Sequence, residues 1–287
     1  MRTALVLICA VAVAACAKEK TGTVEGPPLT IARPDAAVIA PPVSAAPSTT
    51  PAEKSKASVR RSAVTAEFVE LNSPACKPTH GSNRDVPFQA CEQITIAVVA
   101  GTVEALGEKL GPGDVMVAQG SGTIPLHGGN DPKLCDNLIV LARVQPPNCD
   151  PVNADQTVIP KITKHVVRAN AAPELVWAGG QMRAHLDVGA DVSPNAYVGR
   201  LEGTAPVAEH THPDSWEILC TVDAAGTFTL DGKEQRLTAH QIVQIPPGAK
   251  HSWKPDPGSK LVAVQMYAPP GPEQRFKALA ADAGKHP

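Results

Sequence analysis

The chain is poor in aromatic residues: three Trp, two Tyr and four Phe among 287 residues. So few rings leave almost no stacking platforms for nucleic-acid bases. It also lacks an excess of either charge, with 26 Lys and Arg against 28 Asp and Glu and a formal net charge of −2. Such a balance gives no electrostatic basis for a nucleic-acid partner. No Ser-His-Asp, Walker or dinucleotide fingerprint stands out. The apolar stretch Thr3 to Ala15 is too short to span a bilayer as a stable helix. What is abundant is 29 prolines and 22 glycines, which suits a turn-rich β protein with a non-globular segment better than a helical one.

The N-terminus reads as targeting sequence. Met1-Arg2 supplies a short positive start, and residues 1–15 form a signal peptide ending in Val13-Ala14-Ala15 before Cys16. That ending resembles the bacterial lipobox. The resemblance implies cleavage before Cys16, lipidation of its thiol and acylation of its new amine. Several acyl chains on one residue make a durable anchor. Ala17-Lys18 follows instead of the aspartate that commonly retains such proteins at the inner membrane, so the expected location is the outer membrane. A chance cysteine after an ordinary secretory signal is the alternative. Residues 16–61 are dominated by Pro, Ala, Thr, Ser and Lys and carry no periodic apolar face, so they are expected to be a disordered tether.

Cysteine usage suits an exported protein. Beyond Cys9 and Cys16, the spacing offers two local pairs, Cys76 with Cys91 and Cys135 with Cys149. Each would close a loop of about fifteen residues, worth ~3 kcal/mol in the chain-entropy model. Spacing alone leaves cross-pairings open. Cys220, in the apolar run Ile218-Leu219-Cys220, is expected to be a buried free thiol.

The chemistry concentrates near the C-terminus. His210-Thr-His212 is followed by Glu217 and, further on, by Pro246-Pro-Gly-Ala-Lys-His251. Alternate residues on a strand share a face, so His210 and His212 are expected to point the same way. Glu217 is out of phase with them unless Pro213-Asp214-Ser215 resets the count. Three imidazoles and a carboxylate suit one divalent transition metal with open positions: Fe, Mn, Ni, Co, Cu or Zn. The competing reading is a pair of solvated surface histidines. His185, on a strand at 182–188, reads as a packing or surface residue.

These residues resemble the cupin family. Gly203, His210, His212, Glu217 and Gly226 are similar to its first motif, and Pro246 to His251 to its second. The glycines stray by a residue or two, and His240-Gln241 stands where Gly-Asp often opens the second motif. The resemblance implies an antiparallel β-barrel over residues 175–276 with the metal inside. It also implies that neighbouring residues select the substrate, and proximity nominates Tyr197, Arg200, Glu209, Trp216 and Trp253 as a pocket.

Residues 62–145 look like a degenerate copy of that barrel. Strand-like segments at Ile94–Val98 and Leu138–Leu141, and a hairpin at Val103–Leu110, align with the C-terminal half at an offset of about 125 residues. On that offset Glu92 falls on Glu217, and the positions facing His210, His212 and His251 are about Asp85, Pro87 and Ile124. The first copy therefore lacks a ligand set. Residues 146–174 are the expected connection, with an exchanged strand near 163–167, and residues 277–287 a C-terminal tail.

The expected fold is thus all-β, two tandem cupin barrels after the tether. Two functions remain open. One is an envelope-anchored metalloenzyme of dioxygenase, isomerase or decarboxylase type acting on a small oxygenated molecule. The other is a non-catalytic module that binds a small ligand or metal.

Overall fold

A computed structural model describes residues 63–71, 83–129, 136–146, 161–189 and 192–283, all within one compact unit, Lys56–Pro287. The signal peptide, Cys16, the tether, Cys76, Cys135 and Cys149 lie outside the described residues. Cys91 is not a free thiol. Among the described residues no helix is long and apolar enough to cross a membrane.

The first half is β throughout: β1 (Ala63–Leu71), β2 (Arg84–Phe88), β3 (Gln93–Ala100), β4 (Val103–Ala105), β5 (Glu108–Leu110), β6 (Val115–Gln119), β7 (Gly122–Gly128) and β8 (Asn137–Gln145). The connection contributes β9 (Thr163–Val167) and β10 (Glu174–Trp177). The second half runs β11 (Met182–Val188), β12 (Tyr197–Gly203), β13 (Val207–His210), β14 (Trp216–Asp223), β15 (Gly226–Leu230), β16 (Lys233–Leu237), β17 (Ile242–Ile245), β18 (His251–Pro255) and β19 (Leu261–Ala268). A single α-helix among the described residues, α1 (Gln274–Ala283), follows, so the expected tail from 277 is the body of a helix that begins three residues earlier.

Each half folds into two antiparallel sheets. In the first, the large sheet has the order β1-β8-β3-β6-β9 and the small one β2-β7-β4-β5. In the second, they are β10-β11-β12-β19-β14-β17 and β13-β18-β15-β16. Setting β12, β19, β14 and β17 against β1, β8, β3 and β6 shows one strand plan used twice. β9 extends the first half's sheet by pairing with β6, Val115 opposite Val167 through Gln119 opposite Thr163.

The two large sheets meet face to face. Val117, Val140 and Ala142 on one and Val198, Ile218, Cys220 and Met266 on the other belong to a single apolar layer. Their opposite faces line the separate barrel cores. Strands covered on both faces need little polar alternation, which is why Ile218–Cys220 reads as a continuous apolar run and Thr95 is buried within Ile94–Val98. The Ser193 hydroxyl donates to Gln93 Oε1, a polar tie within this buried region.

Equivalent hairpin turns set the register of both small sheets. Leu106-Gly107 and Asp231-Gly232 each take two successive positive φ angles, 49° and 76° in the first and 47° and 76° in the second, the geometry of a tight two-residue hairpin turn. In the second barrel the turn does more. Asp231 N–H donates to the Lys250 carbonyl at 2.8 Å, and Lys250 N–H donates to Asp231 Oδ1 at 2.9 Å. The residue before His251 is thereby pinned.

The interior of the first barrel is hydrocarbon. On β2 the buried residues are Val86 and Phe88, while Asp85 and Pro87 are exposed. Strand pairing also moves the correspondence. Glu217 lies opposite Tyr267 and Leu219 opposite Gln265; in the first barrel Ile94 lies opposite Arg143 and Ile96 opposite Leu141. The pairing irregularity follows Thr221 in β14 and Val98 in β3, so counting back four residues puts Ile94, not Glu92, in the place of Glu217. By hairpin register, Leu126 rather than Ile124 stands where His251 does, because Ala105 pairs with Leu126 as Leu230 pairs with His251. A two-residue slip keeps the same face, so neither misplacement shows in the burial pattern, although a strict offset of 125 already gives Leu126.

Candidate metal centre

The four ligand-type residues arrive from two sheets and a loop. β13 ends at His210, and His212 follows in the loop that turns at residues 213–214 before β14 begins at Trp216. The two histidines thus do not share one regular strand as alternation suggested. The Pro213-containing loop instead supplies the phase reset that lets Glu217 join them. β18 begins with His251, paired directly to His210. Gly248, at φ 83°, forms the tight turn ahead of His251, and its N–H donates to the His212 carbonyl at 2.8 Å. The two histidine segments are therefore tied by backbone.

One ligand atom from each of His210, His212, Glu217 and His251 lies within 4.8 Å of the others. Glu217 Oε2 is 3.1 Å from His212 Nε2 and 3.0 Å from His251 Nε2. The ring centroids of His210 and His251 are 4.1 Å apart. His212, Glu217 and His251 are buried, and His210 half-buried. His210 Nδ1 sits 2.9 Å from the Ala208 carbonyl, and His251 Nδ1 3.1 Å from that of Ala249. A carbonyl accepts only, so these contacts place the proton on Nδ1 and turn the Nε2 lone pair inward, as a metal ligand requires. Gln265 Nε2 donates to Glu217 Oε1 at 2.6 Å and orients the carboxylate. His212 Nε2, Glu217 Oε2 and His251 Nε2 are left buried without a hydrogen-bond partner. Converging orphan atoms of this kind are costly in a protein interior unless something joins them. Three imidazoles and one carboxylate fit a divalent transition metal, and the cluster could hold one ion.

Electrostatics favour the ligand-competent states of Glu217 and His210 but bias His251 toward a proton that a metal would have to displace. Burial alone would raise the Glu217 carboxyl, but the imidazoles of His212 and His251 outweigh it and hold it down to about 2. Burial pushes His210 down to about 4, leaving it neutral. Burial also lowers His251, yet the facing Glu217 carboxylate outweighs that and raises it.

A cavity of about 260 Å³ opens onto the cluster. Its wall is largely apolar, with Trp177, Leu201, Phe228, Trp253, Phe276 and Leu279 among the lining residues. The sequence-nominated pocket residues divide. Trp253 lines the cavity; Gly226 makes room for it, since a Cβ there would come within 2.5 Å of its ring. Tyr197 is buried in the barrel core, stacked on Tyr267, and does not line the cavity. Arg200 points the other way: β12 alternates, so with Leu201 facing the core Arg200 turns outward, onto Asp187 (Nη2–Oδ1 2.9 Å) and the Ala169 carbonyl (2.8 Å). It is committed to that pair and does not line the cavity. Glu209 is exposed beside Lys250, and Trp216 packs against the inter-barrel layer. Proximity in sequence misplaced them because neighbours on a strand face opposite sides. His185 is half-buried, 3.7 Å from Glu174, and lies outside the cavity.

Missed altogether were Tyr267, Gln265 and the α1 residues Arg275, Phe276 and Leu279, all of which line the cavity. Phe276 stacks on Trp177 at 5.3 Å and anchors the helix. No motif marks these residues, although an amphipathic stretch at the end of the chain was a visible signal.

A double-stranded β-barrel with three histidines and a glutamate gathered within it carries a candidate metal centre. The cupin domain model matches residues 198–263, a segment that contains all four clustered residues. Over those residues the C-terminal barrel thus matches the cupin domain family. Among solved structures, a Pseudomonas aeruginosa protein described as glyoxylate induced matches over 71% of this chain and 73% of its own at 12% identity and a TM-score of 0.50. Oxalate decarboxylase from Bacillus subtilis matches over 73% and 68% at 12% identity and a TM-score of 0.48. No curated protein matches the chain in sequence.

Proposed function

We propose that the C-terminal barrel binds one divalent transition metal through His210, His212, Glu217 and His251 and presents it to a small oxygenated molecule in the adjoining cavity. The observation that carries this reading is the convergence of three buried, unpartnered ligand atoms on a single point. Four protein ligands leave one or two positions free on a five- or six-coordinate ion. A bound ion would supply Lewis-acid activation there, the chemistry of dioxygenase, isomerase or decarboxylase reactions.

The chain's own residues set what surrounds the ion. Gln265 holds Glu217 in place, and the apolar wall excludes water from the ligand atoms. Tyr267 lines the cavity with its phenol kept protonated, because burial and then the nearby Glu217 charge push it well above its ordinary value. It can donate a hydrogen bond but does not act as a base at neutral pH. One observation favours the second reading, a non-catalytic binding module. Apart from His210, His251 and Glu217, no carboxylate or imidazole among the described residues lines the cavity, so a general base is lacking.

The deciding experiment is elemental analysis of the full chain after expression with supplementary metals. We expect close to one metal per chain, and less than a tenth in His210→Ala and His251→Ala. A wild-type content below a tenth would sink the proposal.

The envelope location is proposed on sequence grounds. Residues 1–15 would be removed, Cys16 lipidated in the outer membrane, and Cys76–Cys91 and Cys135–Cys149 bridged in an oxidising compartment. Mass analysis of the mature N-terminus and of non-reduced peptides tests this. An unmodified N-terminus other than Cys16 would reject the anchor.

A further inference from the structure

The cavity over the histidine cluster is apolar on nearly every side, and one cation interrupts it. Arg275, on the first turn of α1, lines the cavity mouth. Its side chain forms no hydrogen bond or ion pair with the described residues, and it is exposed. The other arginines near this barrel differ: Arg200 is held by Asp187, Arg183 by Glu174 and Arg236 by Asp256. The charge of Arg275 is nevertheless felt inside, since it lowers the proton affinity of His210, His251 and Tyr267. Glu217 is the one carboxylate among the lining residues, and His212, His251 and Gln265 engage it. With a divalent ion bound, the lining charges would sum to about +2, from the ion, Arg275 and Glu217.

We propose that the cavity selects a small anion with an apolar body, a monocarboxylate of aromatic or branched aliphatic type, and that Arg275 is the residue that selects its charge. The ion's contribution to the cavity's charge rests on the function proposed above; the role of Arg275 does not. Three features define the ligand. An unpaired guanidinium offers a planar fork of donors that matches a carboxylate. Trp177, Trp253, Phe276 and Leu279 offer apolar surface that a fully polar dianion would leave unfilled. The volume, about 260 Å³, falls below the range of about 300–1,000 Å³ typical for drug-sized ligands, which excludes oligosaccharides and nucleotides. Helix α1 links the selection to the fold, because Phe276 anchors it on Trp177 and the adjacent Arg275 lines the cavity.

The test uses matched probes on the full chain: benzoate, its neutral isostere benzamide, and acetate, which keeps the charge and drops the apolar body. Binding is read by the fluorescence of Trp177 and Trp253 and by calorimetry, with metal content measured on the same samples. We expect benzoate to bind at least tenfold tighter than benzamide and tenfold tighter than acetate. Arg275→Gln should abolish the preference over benzamide with metal content unchanged, and Arg275→Lys should keep part of it. Equal binding of benzoate and benzamide, no binding of either, or an undiminished preference in Arg275→Gln would each overturn the proposal. A benzoate preference in protein that takes up no metal would uphold the role of Arg275 and reject the metal function instead.

Discussion

Gln265 Nε2 donates to Glu217 Oε1 at 2.6 Å, and this one bond leaves Oε2 alone facing His212 and His251. The two residues come from neighbouring strands, β14 and β19, whose pairing sets Gln265 across from Leu219, two positions along from Glu217. A carboxylate with one oxygen tied is a ligand of fixed direction.

Replacing Gln265 by Leu should therefore weaken metal binding by about 10–100-fold, the usual effect of removing a partner that orients a ligand. Competition against a chromophoric chelator measures it. Unchanged affinity would show that Glu217 is positioned by the backbone alone.

Metal should also stabilise the fold. At an ion concentration of about 100 times the dissociation constant, binding to the native state alone adds about 2.7 kcal/mol. The melting temperature of the wild type should rise on metal addition and return on chelation. Glu217→Gln should show little rise, since it removes the anionic ligand while keeping the shape.

Asp114 gives a prediction on pH. Its Oδ1 accepts from Ala169 N–H at 2.9 Å, and its Oδ2 from Gly111 N–H at 3.0 Å and Arg168 Nη1 at 2.9 Å. Burial would raise this carboxyl, but these donors outweigh it and hold it below its ordinary 3.8. A carboxyl lowered by folding stabilises the native state above its unfolded value and loses that contribution as pH falls through the lower folded value. Asp114→Asn should cost about 1–3 kcal/mol at neutral pH. Denaturant titrations should show the gap between wild type and variant constant from pH 7 down to about 5 and shrinking below about 4. A gap independent of pH would refute the ionic origin.

Cys220 lies in the apolar layer between the two large sheets, and burial pushes its thiol up to about 12. It should resist alkylation in the native protein and react fully in denaturant, as mass spectrometry can show. Native labelling within minutes would mean that the barrels separate readily. Ile218→Ala in the same layer should cost about 2–5 kcal/mol.

Much of the second barrel was legible because its chemistry is local. The histidine spacing, the Pro-Pro-Gly turn and the Asp231-Gly232 hairpin each state their geometry within a few residues. The first barrel was harder to align. Apolar residues repeat every second position along β3 and β7, so a slip of two exchanges one buried aliphatic for another and leaves no trace in the pattern. Glu92 was mistaken for the counterpart of Glu217 for that reason, whereas strand pairing puts Ile94 there. Arg200 and Trp216 were misplaced for a different reason. Nearness to a motif says nothing about which face a side chain takes.

By itself the sequence determined the all-β architecture, its repetition and the four residues that could hold a metal, because turn chemistry, strand periodicity and ligand type act over short range. Only the tertiary structure decided what shares the cavity with them. Gln265, Tyr267 and Arg275 reach the cavity through strand pairing and helix docking, interactions between residues far apart in the chain that no local pattern encodes.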